Sequence, residues 1–373
     1  MSKVRHLLGI SGGKDSAALA LYLGKNYPGL DFEFYTCDTG KELNETYELI
    51  SRLESVLGKK ISKYGSFDDE HVAIQNPFDH FLSVYGHFLP SSQARWCTQK
   101  MKLEPFEQNI GNYPTISYVG IRGDENREGY ISKNPNIQTI FPFRKNIWSS
   151  DVTKRAISNS HIETFVNGMS ALLSDGQHER FSELANTKIS PTFSVEKKID
   201  FLLNLNVRAF NYGVFEVLKE TNHPVGMLDS FELLNNEESL GINEIYGILD
   251  DSGVGIPAYY LPVEFSVEEN GEVFKGTYSR SRSGCFFCFY QQKIEWVWLL
   301  EQHPGLFEQA VEYEKDGYTW SEESLKDLAK PDRVKKIKLD YIKRMERLNS
   351  KSGKNWQDEI LNAEGDGCAS CFI

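Results

Sequence analysis

The hexapeptide Ser11-Gly12-Gly13-Lys14-Asp15-Ser16 limits what this chain can fold into more than any other stretch. A short apolar run, His6–Ile10, leads into it, and an Ala- and Leu-rich run, Ala17–Leu23, leads out. Strand, glycine turn and helix in that order form an anion cradle. The glycines let backbone approach a polyanion without a Cβ in the way, and the N–H groups of the turn and helix start then converge on it. Lys14 adds a mobile cation, Asp15 is a candidate Mg²⁺ ligand, and the Ser11 and Ser16 hydroxyls can donate to phosphate oxygens. The spacing is too short for the G-x-x-x-x-G-K-[ST] loop of γ-phosphate-cleaving enzymes. A chance lysine beside a Gly-Gly turn would lack this strand-before, helix-after setting.

The pattern continues as alternating strands and helices. Phe32–Cys37 reads as a strand ending at Asp38-Thr39-Gly40, and Asn44 opens a helix with apolar residues at helical spacing, stopped by Gly58. Lys60–Tyr64 and Ile116–Ile121 are further strands. Such alternation predicts an α/β, doubly wound, mostly parallel sheet of Rossmann type, with the hexapeptide and Asp38-Thr39-Gly40 at the carboxyl ends of its strands. Residues 146–244 change texture, with helical patterns at Ile162–Leu173 and Ile199–Leu218 and no catalytic signature. They read as a mostly helical insertion whose role as lid, docking surface or plain elaboration stays open. The core then comprises residues 1–145 and 245–315, and residues 316–373 form a C-terminal helical, cysteine-containing extension. An aromatic helix around Ile294–Leu300 is read as core, and Thr319 with Glu322 as a capping box.

The net charge of −12 argues against indiscriminate nucleic-acid binding. The stretch Lys330–Arg347 holds eight Lys or Arg against three acids and reads as a solvated helix face. No apolar run is long enough for a signal h-region or a bilayer span, so a cytoplasmic chain without membrane contact is expected. There, six cysteines are not a disulfide framework. Cys285/Cys288 and Cys368/Cys371 are C-x-x-C pairs, the spacing of two ligands on one metal or cluster. Cys37 reads as a small buried apolar residue.

The hexapeptide resembles the PP-loop of the adenine-nucleotide α-hydrolase superfamily, whose members cut ATP to AMP and pyrophosphate. Cys37-Asp38-Thr39-Gly40-Lys41-Glu42-Leu43-Asn44-Glu45-Thr46 resembles the D-T-G…E-T segment of its phosphoadenylylsulfate (PAPS) reductase family. Arg95-Trp96-Cys97-Thr98-Gln99-Lys100-Met101-Lys102 and Gly120-Ile121-Arg122-Gly123-Asp124-Glu125-Asn126-Arg127 are similar to the same family. The resemblance implies that Ser11, Gly12, Gly13, Lys14, Asp15 and Ser16 hold ATP phosphates, with Mg²⁺, and that Asp38, Thr39 and Gly40 line the nucleotide site. Lys14, Asp15, Arg95 and Arg122 are the catalytic candidates, with Lys100 and Arg127 as further cations.

A DNA-phosphorothioation (DndC-like) branch is the nearest functional analogue. It implies a [4Fe–4S] cluster on Cys97, Cys285 and Cys288, with Cys371 or Cys368 as fourth ligand or an open iron. Zinc on the two C-x-x-C pairs, and free or redox thiols, are the alternatives. The tail Asp366-Gly367-Cys368-Ala369-Ser370-Cys371 departs from the E-C-G-x-H-type tail of PAPS reductases proper. The expected activity is ATP pyrophosphatase chemistry that activates an acceptor for sulfur transfer. Nucleic acid, DNA ahead of tRNA, is the leading acceptor, and a cysteine desulfurase or similar protein is the sulfur donor. Two alternatives are a PAPS/APS reductase producing sulfite and a nucleotide-responsive subunit of a phage-defence complex docking through 146–244.

Overall fold

A computed structural model describes residues 3–65, 76–170 and 172–352, with side chains as far as residue 347. Five strands form one all-parallel sheet: β1 (Arg5–Gly9), β2 (Phe32–Thr36), β3 (Ile61–Lys63), β4 (Thr115–Tyr118) and β5 (Ile137–Ile140), in the order β3-β2-β1-β4-β5. The register sets Leu8 between Phe34 and Tyr118. Alternate residues of β1 face opposite layers, as the two-residue period of a strand requires. Leu8 joins the cluster built on α1 (Lys14–Asn26) and α2 (Asn44–Leu57). Leu7 joins the opposite cluster with Leu103, Phe106 and Ile110. Apolar strands covered on both faces need helices on both sides, and the sheet is doubly wound as expected. β5 escapes the sequence reading because Ile137-Gln138-Thr139-Ile140 is only four residues long and half polar.

After α3 (Pro77–Val84) the second layer is one continuous helical stretch. It runs through α4 (Trp96–Thr98), a wider π-helical segment Gln99–Leu103 and α5 (Glu104–Ile110). Pro105 explains the widening, since a ring inside a helix removes one N–H and crowds the carbonyl four residues back, that of Met101.

The stretch beyond residue 146 is helical, as expected. It contains α6 (Ser150–Ala156), α7 (Ile162–Ser170), α8 (Asp175–Asn186), α9 (Val195–Leu205), α10 (Val207–Lys219) and α11 (Ile242–Asp251). The Ile199–Leu218 pattern is two helices. Asn206 is extended at φ −165° and its side chain caps α10 by accepting from the Ala209 N–H at 2.9 Å. One apolar cluster joins Leu19 and Leu23 of α1 to Trp148, Phe165, Phe210 and Leu249. These helices therefore build the outer layer over one face of the sheet.

A β-hairpin follows, β6 (Val263–Glu269) with β7 (Glu272–Tyr278), turning at Asn270 and Gly271, both at positive φ. The remaining helices are α12 (Lys293–Gln302), α13 (Pro304–Glu312), α14 (Leu325–Leu328) and α15 (Pro331–Ser352). Trp296 and Trp298 of α12 are buried in a second apolar cluster, as read from the sequence. Thr319 and Glu322 do not start a helix. The Trp320 indole is buried and donates to the Ala310 carbonyl at 2.9 Å, tying this segment to α13, and Ser324 caps α14 instead. On α15, Arg333 pairs with Glu323 and Lys338 with Glu301. Among the described residues no helix is long and apolar enough to cross a membrane.

Candidate functional site

The turn between β1 and α1 sits at the carboxyl end of the central strand, where the connections reverse direction across the sheet. Gly12 has φ +72°, and a Cβ there would strike the Thr46 methyl of α2. Its carbonyl accepts from the Tyr259 hydroxyl at 2.9 Å. Gly13 caps α1 without a side chain, and Ser283 Oγ stands 2.6 Å from where its Cβ would be. Ser16 Oγ accepts from the Ser11 N–H at 3.2 Å and donates to the Gly13 carbonyl at 3.2 Å. The hydroxyl thus pins the turn across the helix start. Chemically, this is a concave backbone surface at the positive end of a 13-residue helix.

Lys14 and Asp15 lie inside the molecule. Lys14 is fully buried, with Nζ 3.1 Å from Asp15 Oδ2 and 4.8 Å from the Tyr260 ring centre. The other Asp15 oxygen takes Nη1 of Arg122 at 2.7 Å. Arg122 is also fully buried and reaches Asp124 at 2.9 Å and Glu125 at 3.1 Å. Burial alone would push the Asp15 carboxyl up, but the Arg122 guanidinium and the Lys14 ammonium hold it down at about 2. A carboxylate depressed below its ordinary 3.8 stabilises the fold above its unfolded value, and that contribution is lost as pH falls. The melting temperature should therefore drop between about pH 4 and about pH 2. Asp15→Asn should flatten that limb; an unchanged limb would contradict the assignment.

Asp38-Thr39-Gly40 forms the neighbouring wall. Asp38 accepts from the Gly40 N–H at 2.8 Å and the Tyr47 hydroxyl at 2.9 Å, and pairs with Lys63 at 3.2 Å. The buried Thr39 hydroxyl donates to Glu42 at 2.7 Å and lies 3.1 Å from Cys285 Sγ. A single bridge pairs Glu42 with Cys285, and Phe286 N–H donates to the Lys41 carbonyl at 2.9 Å. The first C-x-x-C pair is thereby fastened to the loop after β2. Burial pushes both thiols up, Cys285 further still through Glu42, while for Cys288 the Arg282 charge works against the burial. Burial also raises the Glu42 carboxyl.

The other candidates divide. Arg95 donates to the Ser92 carbonyl at 3.1 Å and lies 5.4 Å from the Tyr290 ring centre, a ring that Arg282 also approaches. Lys100 is paired with Glu104 on the outside of its helix, and Arg127 with Glu125. Cys37 is buried, with Sγ 3.7 Å from the Lys102 carbonyl and its thiol pushed up to about 12 by burial. Among the described residues Cys97, Cys285 and Cys288 form no disulfide, and no three His, Cys, Asp or Glu are grouped to hold a metal ion. Cys368 and Cys371 lie outside the described residues. Both Asp15 oxygens are engaged by cations, Oδ2 by Lys14 and Oδ1 by Arg122. Sequence reasoning placed Glu42 and Thr46 in the family-like segment without giving them a role, and did not name Tyr259, Tyr260, Arg280, Arg282 or Ser283 as site residues. The signal was the Arg280-Ser281-Arg282-Ser283-Gly284 run before Cys285, an anion-binding composition next to a thiol pair.

Residues 5–145 match the family model described as the phosphoadenosine phosphosulfate reductase domain. An uncharacterized protein of Methanocaldococcus jannaschii is 32% identical over 157 residues, covering 39% of this chain and 29% of that protein. A second uncharacterized protein of the same organism is 28% identical over 152 residues, covering 37% of this chain and 34% of its own length. The chain thus spans about a third of the length of these curated relatives. No solved structure matches it. The matched region contains the turn, the Asp38-Thr39-Gly40 wall, Arg95 and Arg122, and supports a nucleotide-using, sulfur-related domain of PP-loop type.

Proposed function

We propose that this protein is a PP-loop ATP pyrophosphatase that activates an acceptor for sulfur transfer, in the manner of DNA phosphorothioation. The observation that carries the reading is the 3.1 Å approach of Cys285 Sγ to Thr39 Oγ1, with Ser283 standing over Gly13. A polyphosphate on the turn and a sulfur atom on the C-x-x-C pair would share one crevice. In the first step an acceptor oxygen attacks the α-phosphorus of ATP. The loop N–H groups and Lys14 stabilise the charge that develops on pyrophosphate, and Arg122 keeps Asp15 and Lys14 in place. In the second step the terminal sulfur of a Cys285 persulfide attacks the activated acceptor atom and displaces AMP; the Cys288 thiolate then breaks the S–S bond, leaving the acceptor thiolated and Cys285–Cys288 as a disulfide that an external dithiol reductant reopens. Nucleic acid, DNA before tRNA, is the acceptor of the reading, with a cysteine desulfurase or similar carrier as sulfur donor.

ATP labelled at the α-phosphate is expected to give labelled AMP and unlabelled pyrophosphate. Labelled ADP with orthophosphate would end this reading. Calorimetry with ATP, adenylyl sulfate and PAPS separates it from a sulfite-producing reductase, which would bind the sulfated nucleotides and leave ATP aside. Cys285→Ser is expected to retain AMP formation while failing to take up ³⁵S from a labelled persulfide donor. Equal ³⁵S loading of variant and parent would remove the thiol from the proposed chemistry.

A further inference from the structure

Arg280, on the segment that joins β7 to the C-x-x-C pair, is fully buried. Its main-chain N–H donates to the Tyr259 carbonyl at 2.8 Å, and its Nη2 donates to the Cys285 carbonyl at 3.1 Å. Its Nε and Nη1 are both buried and find no hydrogen-bond partner. A guanidinium carries five N–H donors and keeps its charge at any physiological pH, so it cannot escape burial by losing a proton. Among the described residues no carboxylate forms an ion pair with it. Glu42 is the nearby carboxylate whose charge it feels, and Glu42 Oε2 is itself buried without a partner. An uncompensated buried cation is among the costliest arrangements a fold can hold.

The surroundings say what would compensate it. Tyr259, whose carbonyl accepts from the Arg280 N–H, donates its hydroxyl to the Gly12 carbonyl of the phosphate turn. The charges of Arg282, Arg280 and Lys102 all act on Cys288. Arg280 and Arg282 flank Ser281, whose N–H donates to the buried Glu295 at 2.7 Å, so Glu42 and Glu295 both share this corner, yet neither forms an ion pair with Arg280. A neutral ligand or a water would occupy the free donors without balancing the charge. A tetrahedral oxyanion does both, since charge-assisted bonds to a guanidinium are the strong ones.

We propose that Arg280 forms a second oxyanion subsite, between the phosphate turn and the Cys285/Cys288 pair, that takes one phosphoryl or sulfonyl group. The subsite rests on the reading that a nucleotide occupies the turn, and it adds the group that the sulfur chemistry faces. That group is either part of the nucleotide itself or an oxyanion belonging to the other reactant.

Calorimetry on the full chain with ATP, adenosine and inorganic sulfate, for the parent, Arg280→Gln and Arg280→Lys, distinguishes the sources. The glutamine variant is expected to bind its true occupant about 10- to 100-fold more weakly, the range of one lost bond to a charged group. ATP weakened with adenosine unchanged assigns the subsite to the nucleotide's own phosphoryl group. Sulfate weakened with ATP unchanged assigns it to the second reactant. ATP and sulfate both bound as tightly by Arg280→Gln as by the parent overturns the proposal. If the glutamine variant does not fold, Arg280→Lys retains the charge while losing the guanidinium fork, and it should show the same selectivity in weaker form. A parent protein whose melting temperature responds saturably to neither ATP nor sulfate also overturns it. The labelled-ATP experiment fails separately: ADP as product removes the pyrophosphatase reading while leaving any Arg280-dependent oxyanion binding intact.

Discussion

Replacing Arg122 with methionine is expected to cost the fold about 3–5 kcal/mol, the range for removing one partner of a buried ion pair. The side chain is fully buried and holds Asp15 at 2.7 Å, Asp124 at 2.9 Å and Glu125 at 3.1 Å. Methionine fills similar space but takes the guanidinium away from Asp15, which keeps its Lys14 pair, and from Glu125, which keeps its Arg127 pair and the residue-122 N–H. Asp124 also accepts from the Ile242 N–H at 2.9 Å, so the loss reaches the start of α11. Urea unfolding with an unchanged m-value is the measurement. Arg122→Lys should recover only part of the loss, because one ammonium cannot reach three carboxylates. A loss below about 1 kcal/mol would mean the network contributes no more than exposed ion pairs do.

Lys14→Ala is expected to lower AMP formation by about 10²- to 10³-fold, the usual effect of deleting one electrostatic stabiliser of a developing anion. Stability should change far less than in Arg122→Met, since Arg122 still holds Asp15. The two variants thus separate charge supplied to a substrate from charge that organises the fold. If Lys14→Ala and the parent form AMP at equal rates, Lys14 is only a buried structural cation. Gly12→Ala provides a steric counterpart. It places a Cβ at φ +72° against Thr46 and should abolish nucleotide binding by displacing the turn from α2.

Much of the first half of the chain is readable without coordinates, because its signals are local. A strand, two glycines and a helix specify the turn within about 15 residues of sequence. The hairpin at 263–278 is a local signal too, an Asn-Gly turn between alternating residues, yet its many glutamates hide the strand pattern. Tyr259 and Ser283 are different. They meet Gly12 and Gly13 only because the chain returns after 247 residues or more, and no periodicity encodes such a meeting. The cysteines divide in the same way. Spacing puts Cys285 and Cys288 together, but whether Cys97 joins them is set by the tertiary placement of the helix carrying it, which no local pattern encodes.

The outer helical layer changes how this protein can be dissected. Phe165, Phe210 and Leu249 sit in the same apolar cluster as Leu19 and Leu23 of the helix that begins at the phosphate turn. Excising residues 146–244 would remove Phe165 and Phe210 from that cluster and cut into α11, which packs on α1, exposing apolar surface to solvent, so a minimal fragment is the wrong experimental target. Any recognition task carried by this layer is better probed one residue at a time from its outside, for example at Phe201, which is 51% exposed. The segment that looked like an optional attachment is a wall of the building, and loss of activity on deleting it would report collapse rather than a lost partner.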